Sequence, residues 1–147
     1  MGQANAIAPG KTPLSLTSPT IVTKDGKLFM VIGGPGGARI ITITLEAILN
    51  VIDHGMTISE AIDAPRIHHQ WLPDKVVMEP FALSRDTQRR LADMGHDVGI
   101  DPDWTIWGQA AGILIGGDSV GSIEAGTGAP LNGAMDVRSL TGRAVSY

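Results

Sequence analysis

The chain has no cysteine. That removes disulfide bonds, cysteine-ligated zinc and a thiol nucleophile, and leaves the cellular compartment open. Basic clusters are missing too. Nothing exceeds Arg89-Arg90, and a formal charge of −4 with a pI near 5.4 argues against nucleic acid as a partner. No apolar run approaches the roughly 20 residues that cross a bilayer, so no membrane span is expected. The start, Met1-Gly-Gln-Ala-Asn, lacks the charged-then-apolar order of a secretory signal, and the myristoylation pattern fails at Ala6. A soluble chain without a signal peptide is expected. The run Gly33-Gly-Pro-Gly-Gly-Ala-Arg39 has no third glycine at dinucleotide spacing and no Lys-Ser/Thr of a phosphate loop. Asp101-Pro-Asp103 lacks the glycine and glutamate of a calcium loop. Adjacent His68 and His69 point to opposite sides of an extended chain, with no third ligand nearby. Packing beside Trp71 and hydrogen bonds to backbone are expected of them. No cofactor and no metal is expected.

What is present suits one domain: 147 residues, 43% of them hydrophobic, can bury about two-thirds of the unfolded surface. Residues 1–18 read as an extended lead-in. Thr20–Lys24 and Leu28–Ile32 flank Asp25-Gly26, which favours a tight hairpin. From Ile40 to Asp53, Ile41, Leu45, Ile48, Leu49 and Ile52 follow helical spacing, with Gly55 suited to the C-terminal cap. Being apolar on more than one face, this helix is expected between layers. Thr57-Ile-Ser-Glu60 is a capping box opening a short helix that ends before Pro65. A short strand is expected at Val76–Glu79, a helix from Ser84 to Met94 closed by Gly95, and a buried strand at Ala110–Ile115. Residues 116–133 are rich in Gly, Ser and Ala and read as a loop-rich insertion. Leu131-Asn132-Gly133 and Asp136–Arg138 fit a last strand and an edge. Arg66 is expected in a structural salt bridge. Trp104 and Trp107 fit a partner surface or a half-buried core equally. The class is α+β, in one incomplete domain spanning 1–147.

The glycine-rich turn carries the chemistry. Glycine pairs let the backbone take positive φ and let another group approach the amides. Consecutive N–H groups there converge on a space that favours an anion or a developing oxyanion.

Pro13-Leu14-Ser15, Ser18-Pro19-Thr20-Ile21-Val22, the Pro35-Gly36-Gly37 turn with Arg39, and Ala64-Pro65-Arg66-Ile67-His68-His69-Gln70-Trp71-Leu72-Pro73-Asp74 follow in that order. Together they resemble the C-terminal part of the small subunit of γ-glutamyltranspeptidases, which are N-terminal-nucleophile hydrolases. The likeness runs from about Gln3 to Ile115 and resumes at Asp136–Ser139. It implies a partial αββα sandwich, with sheet edges and apolar surface left for a partner. It implies γ-glutamyl compounds such as glutathione as substrates, attacked by a threonine whose own α-amine is the base. The missing upstream small-subunit segment and the large subunit would be the partners, in the periplasm or outside the cell.

On that resemblance Gly36 and Gly37 give the oxyanion amides, and Ser15 binds the substrate α-carboxylate. The family's second serine is Leu16 here, which removes one hydroxyl. The nucleophilic threonine is absent: Thr12, Thr17 and Thr20 lie within or after the Pro13-Leu14-Ser15 segment. The chain alone is therefore expected to be inactive. The alternative is a non-catalytic remnant or structural module of the same fold.

Overall fold

The computed structural model describes residues 6–12, 17–101, 103, 107–116 and 130–144. Strands β1 (Thr20–Lys24) and β2 (Lys27–Gly33) form the expected hairpin, with Asp25 and Gly26 both at positive φ. A 3-10 turn at Gly37–Arg39 leads into helix α1 (Ile40–Ile52), followed by α2 (Ile58–Asp63). Then come β3 (Ile67–His68), β4 (Val76–Met78), α3 (Arg85–Asp93), β5 (Val98–Ile100), β6 (Ala111–Ile115) and β7 (Leu131–Met135).

Two sheets result. The larger runs β1-β2-β6-β7 with every pair antiparallel. The smaller runs β3-β4-β5, antiparallel then parallel. Helices α1 and α2 lie on one face of the larger sheet, where Met30, Ile32, Leu114 and Ala134 meet Ile43, Ala47, Val51, Ile58 and Ile62 in one core, while α3 packs beside β5 of the smaller sheet. Phe29 and Met30 are both buried although neighbours in a strand should face opposite ways. The register shifts there, Val22 pairing Met30 and Thr23 pairing Leu28. Phe29 is the extra residue of that bulge and turns inward with its neighbour.

Helix α1 departs from its expected setting. The sheet covers the stripe Ile43, Ala47 and Val51. Ile41, Leu45, Leu49 and Ile52 face outward, Ile41 at 72% exposure, because the described residues supply no layer on that side. The sheet's far face is partly open: Ile21, Val31, Ile113 and Leu131 are exposed there although Ile115 is buried, and Val31, Ile113 and Ala144 help line a shallow depression of 540 Å³. One helical layer and one sheet layer of the expected αββα sandwich are thus present.

The caps follow the sequence. The Thr57 side chain accepts from the Glu60 N–H at 3.2 Å while the Glu60 carboxylate accepts from the Thr57 N–H at 2.9 Å. Ser84 caps α3 through the Thr87 N–H. Most of the loop-rich stretch 116–133 lies outside the described residues, but Leu131–Gly133 belong to β7. Asp136–Arg138 form a turn rather than an edge strand, because the side chains of Asp136 and Arg138 are drawn inward to a buried ionic network while Val137 faces out.

Candidate functional site

The turn after β2 is seated from both sides. The Gly34 N–H donates to the Thr17 carbonyl at 2.9 Å, and the Gln109 N–H donates to the Pro35 carbonyl at 3.0 Å. A Cβ on Gly34 would lie 1.9 Å from the Gln109 carbonyl oxygen, and one on Gly108 would lie 2.5 Å from that of Pro35. Two backbone segments therefore pass too closely for any side chain. Thr17 and Ser18, beside this contact, hold φ of 56° and 39°, strained values for residues with a Cβ.

Gly36 is extended at φ 169°, and Gly37 takes φ 58°. Neither donates its N–H to a described residue; the turn closes instead through the Arg39 N–H on the Gly36 carbonyl at 3.1 Å. Helix α1 begins directly after, with no side chain capping its first amides. Two uncommitted N–H groups and a positive helix end thus border a cleft of 510 Å³ lined by Pro35–Arg39, Gln70, Gly108 and Gln109. Such donors can hold an anionic oxygen.

Arg39 locks the turn. Its guanidinium donates to the Asp101 carboxylate at 3.0 Å and lies over the Trp107 ring, 4.1 Å from the centroid. The Trp107 indole N–H in turn donates to the Asp101 carbonyl at 3.3 Å. The Arg39 hydrogen bond holds the Asp101 carboxyl below its ordinary range. Trp107 is buried, which settles its two open readings in favour of the core, while Trp104 lies outside the described residues.

Behind the strap 107–110 sits buried Arg66, in the structural salt bridge expected of it. It donates to the carbonyls of Trp107 and Ile62 and to the Asp136 carboxylate, which also accepts from the Ala110 N–H at 2.8 Å. Burial alone would raise the Asp136 carboxyl, but the Arg138 N–H, the Arg66 charge and the Ala110 N–H outweigh it and leave it lowered. Arg138 completes the network by donating to Glu79 and Asp136.

The histidines diverge as expected. Buried His68 meets the Thr42 hydroxyl at 2.9 Å and the Gln70 side-chain oxygen at 3.1 Å, and exposed His69 meets Asp74 at 3.0 Å. His69 Nδ1 also accepts from the Trp71 N–H at 3.3 Å, the expected backbone partner, whereas His68 is held by side chains because Thr42 on α1 faces β3 at hydrogen-bonding distance. Ser15 and Leu16 lie outside the described residues, and Thr17 is the first described residue after them. The structure brings Gly36 and Gly37 together with Arg39, Gln70, Gly108 and Gln109. The last three were not singled out from sequence, since no spacing rule links residues so far apart.

The γ-glutamyltranspeptidase family model matches residues 1–145. Glutathione hydrolase proenzymes are similar to this chain: that of a Pseudomonas species is 52% identical over 147 residues, covering 99% of this chain and 25% of that protein. The one from Escherichia coli is 44% identical over 146 residues, covering 99% and 23%. The chain thus spans about a quarter of the length of these curated relatives. Among solved structures, a γ-glutamyltranspeptidase variant from Helicobacter pylori superposes with a TM-score of 0.77 at 42% identity, covering 95% of this chain and 69% of that one.

Proposed function

Because the chain belongs to the γ-glutamyltranspeptidase family, we propose that it is the C-terminal part of a protein that hydrolyses or transfers γ-glutamyl groups, glutathione among its substrates. The observation that carries this reading is the pair of uncommitted amides at Gly36 and Gly37 on the wall of the cleft. In this account a threonine from an upstream small-subunit segment attacks the γ-carbonyl carbon. The bond from that carbon to the amide nitrogen breaks, and the nitrogen leaves with the hydroxyl proton. Water or an amine then attacks the ester carbon, the carbon–oxygen bond breaks, and a proton returns to the threonine oxygen. At both stages negative charge develops on the carbonyl oxygen. Gly36 and Gly37 donate to it, each donor being worth roughly 3–4 kcal/mol of transition-state stabilisation.

The turn suits this role because it does not need to move. Its backbone is clamped by Thr17 and Gln109, and Arg39 is fixed on Asp101 and Trp107. Donors already in place stabilise charge without reorganisation. Ser15 would bind the donor's α-carboxylate, with Leu16 withdrawing one hydroxyl from that site. A large subunit would complete the enzyme, located in the periplasm or outside the cell.

The test is mass spectrometry of the longer protein after brief mixing with a γ-glutamyl anilide. The proposal expects a γ-glutamyl adduct on an N-terminal threonine, released by water or an added amine. Intact protein with no adduct and no anilide cleavage would make the chain a non-catalytic module of this fold.

A further inference from the structure

Helix α3 carries an unexpected set of side chains beside the smaller sheet. Arg85, Gln88, Arg89 and Ala92, spaced three and four apart, line one wall of a groove of 680 Å³. His96, Asp97 and Val98, leading into β5, line the other. A helix beside a sheet normally presents apolar residues to it. Here the stripe holds two guanidiniums and a primary amide, and no residue of α3 is buried.

Two of these side chains are already posed. Gln88 Nε2 donates to the Leu83 carbonyl at 2.8 Å, and Arg89 Nε donates to the Arg85 carbonyl at 3.3 Å. Asp93, one turn on, would be the ordinary ion-pair partner of Arg89, yet the arginine turns back toward Arg85 instead. Both terminal nitrogens of Arg89 stay open, and the Arg85 guanidinium meets no acceptor among the described residues.

These charges are uncompensated. Like charges one helical turn apart repel, and Arg85 at the first position of α3 also opposes the positive helix end. The groove's carboxylate, Asp97, is held toward Lys75 Nζ at 3.8 Å. Asp86 is bonded by Ser84 at the helix start, and neither it nor Asp93 lines the groove. Among the described residues nothing offsets the repulsion that folding builds here. A bound anion would offset it.

Two adjacent guanidiniums suit a doubly charged oxyanion, whose several oxygens accept from both forks at once. The chain's own net charge of −4 disfavours a long polyanion, which leaves a small ligand. We infer that the Arg85–Arg89 face of α3 binds a small phosphate dianion, either inorganic phosphate or the terminal phosphate of a soluble monoester. Gln88 adds a neutral donor through its second amide N–H, and His96 borders the site.

The test is calorimetric titration of the longer protein with inorganic phosphate and, separately, glycerol phosphate, at about pH 8 and constant ionic strength. Saturable binding is expected. Arg85→Gln and Arg89→Gln should each weaken it about tenfold, the size of one solvent-screened, charge-assisted hydrogen bond. Arg90→Gln removes the same charge from α3 away from the groove, and should change affinity by no more than about twofold. Glutamine is a strong helix former, so all three variants should fold, as melting without phosphate would show. Tighter binding of glycerol phosphate supports the monoester as ligand; equal or weaker binding supports the free ion. No saturable binding of either compound overturns the inference, as does equal weakening by all three substitutions. Turnover enters neither result, so the acyl-transfer reading stands in both cases.

Discussion

Gly34 lies flat against the carbonyl of Gln109, so close that a Cβ on Gly34 would sit 1.9 Å from the oxygen. Neither backbone can retreat, because Gly34 is bonded to Thr17 and Gln109 to Pro35. Gly34→Ala should therefore destabilise the protein by about 3 kcal/mol or more, or prevent folding. At Gly37 a Cβ would meet nothing within 4 Å. There Gly37→Ala should cost only about 1–2 kcal/mol, for the left-handed backbone. Urea unfolding of the two variants checks the contrast; equal losses would mean the turn is not clamped as described.

The ion pair of Arg66 with Asp136 has almost no access to water, the two side chains being 4% and 0% exposed. Asp136→Asn leaves the guanidinium buried beside a neutral amide and weakens the hold on Trp107 and Ala110. A loss of about 3–5 kcal/mol is expected. A urea midpoint within error of the wild type would contradict this.

Glu46 gives the stability a pH dependence. One carboxylate oxygen accepts from the Ile67 N–H at 3.0 Å, and the other is buried without a partner. Burial pushes this carboxyl from 4.5 up to about 7, against the Ile67 hydrogen bond and the Arg66 charge. As pH rises between those values the unfolded chain releases a proton that the folded chain retains. Stability from this group is thus full below pH 4.5 and lost as pH passes through about 7. Glu46→Gln keeps an acceptor for the Ile67 N–H and removes that loss. After discounting for partial exposure, it should be more stable than wild type by on the order of 2 kcal/mol at about pH 8, and equal to it at about pH 4.5. A pH-independent difference would count against it.

Much of the fold was legible because the signals were local. Asp25-Gly26 marked the hairpin, Thr57 with Glu60 marked a capping box, and Ser84 marked the start of α3. What escaped was set by distant partners. β3 is a two-residue strand and β5 a three-residue one, both too short for a periodic pattern, and they exist because β4 lies between them. The setting of α1 also depends on distant parts, since the layer that would cover its outer face is not among the described residues. Periodicity shows which residues share a face, but which face the sheet takes depends on fit, and Ala47 rather than Leu45 meets it. Within the site, composition marks the glycine-rich turn, and the family resemblance picks Gly36 and Gly37 out of it. Gln70, Gly108 and Gln109 join them only through tertiary contacts.

The most direct measurement replaces the Gly37 residue of the longer protein with glycolic acid, exchanging one backbone N–H for an ester oxygen. No side chain is added and the Gly37 N–H donates to no described residue; the Gly36 carbonyl becomes a weaker ester acceptor for the Arg39 N–H, but the clamps through Thr17 and Gln109 are untouched, so the fold should hold. The account predicts a fall in kcat for γ-glutamyl anilide cleavage of roughly 10²–10³-fold, with an unchanged melting temperature. Turnover within about twofold of wild type would contradict it, because the amide would then play no part in stabilising the transition state.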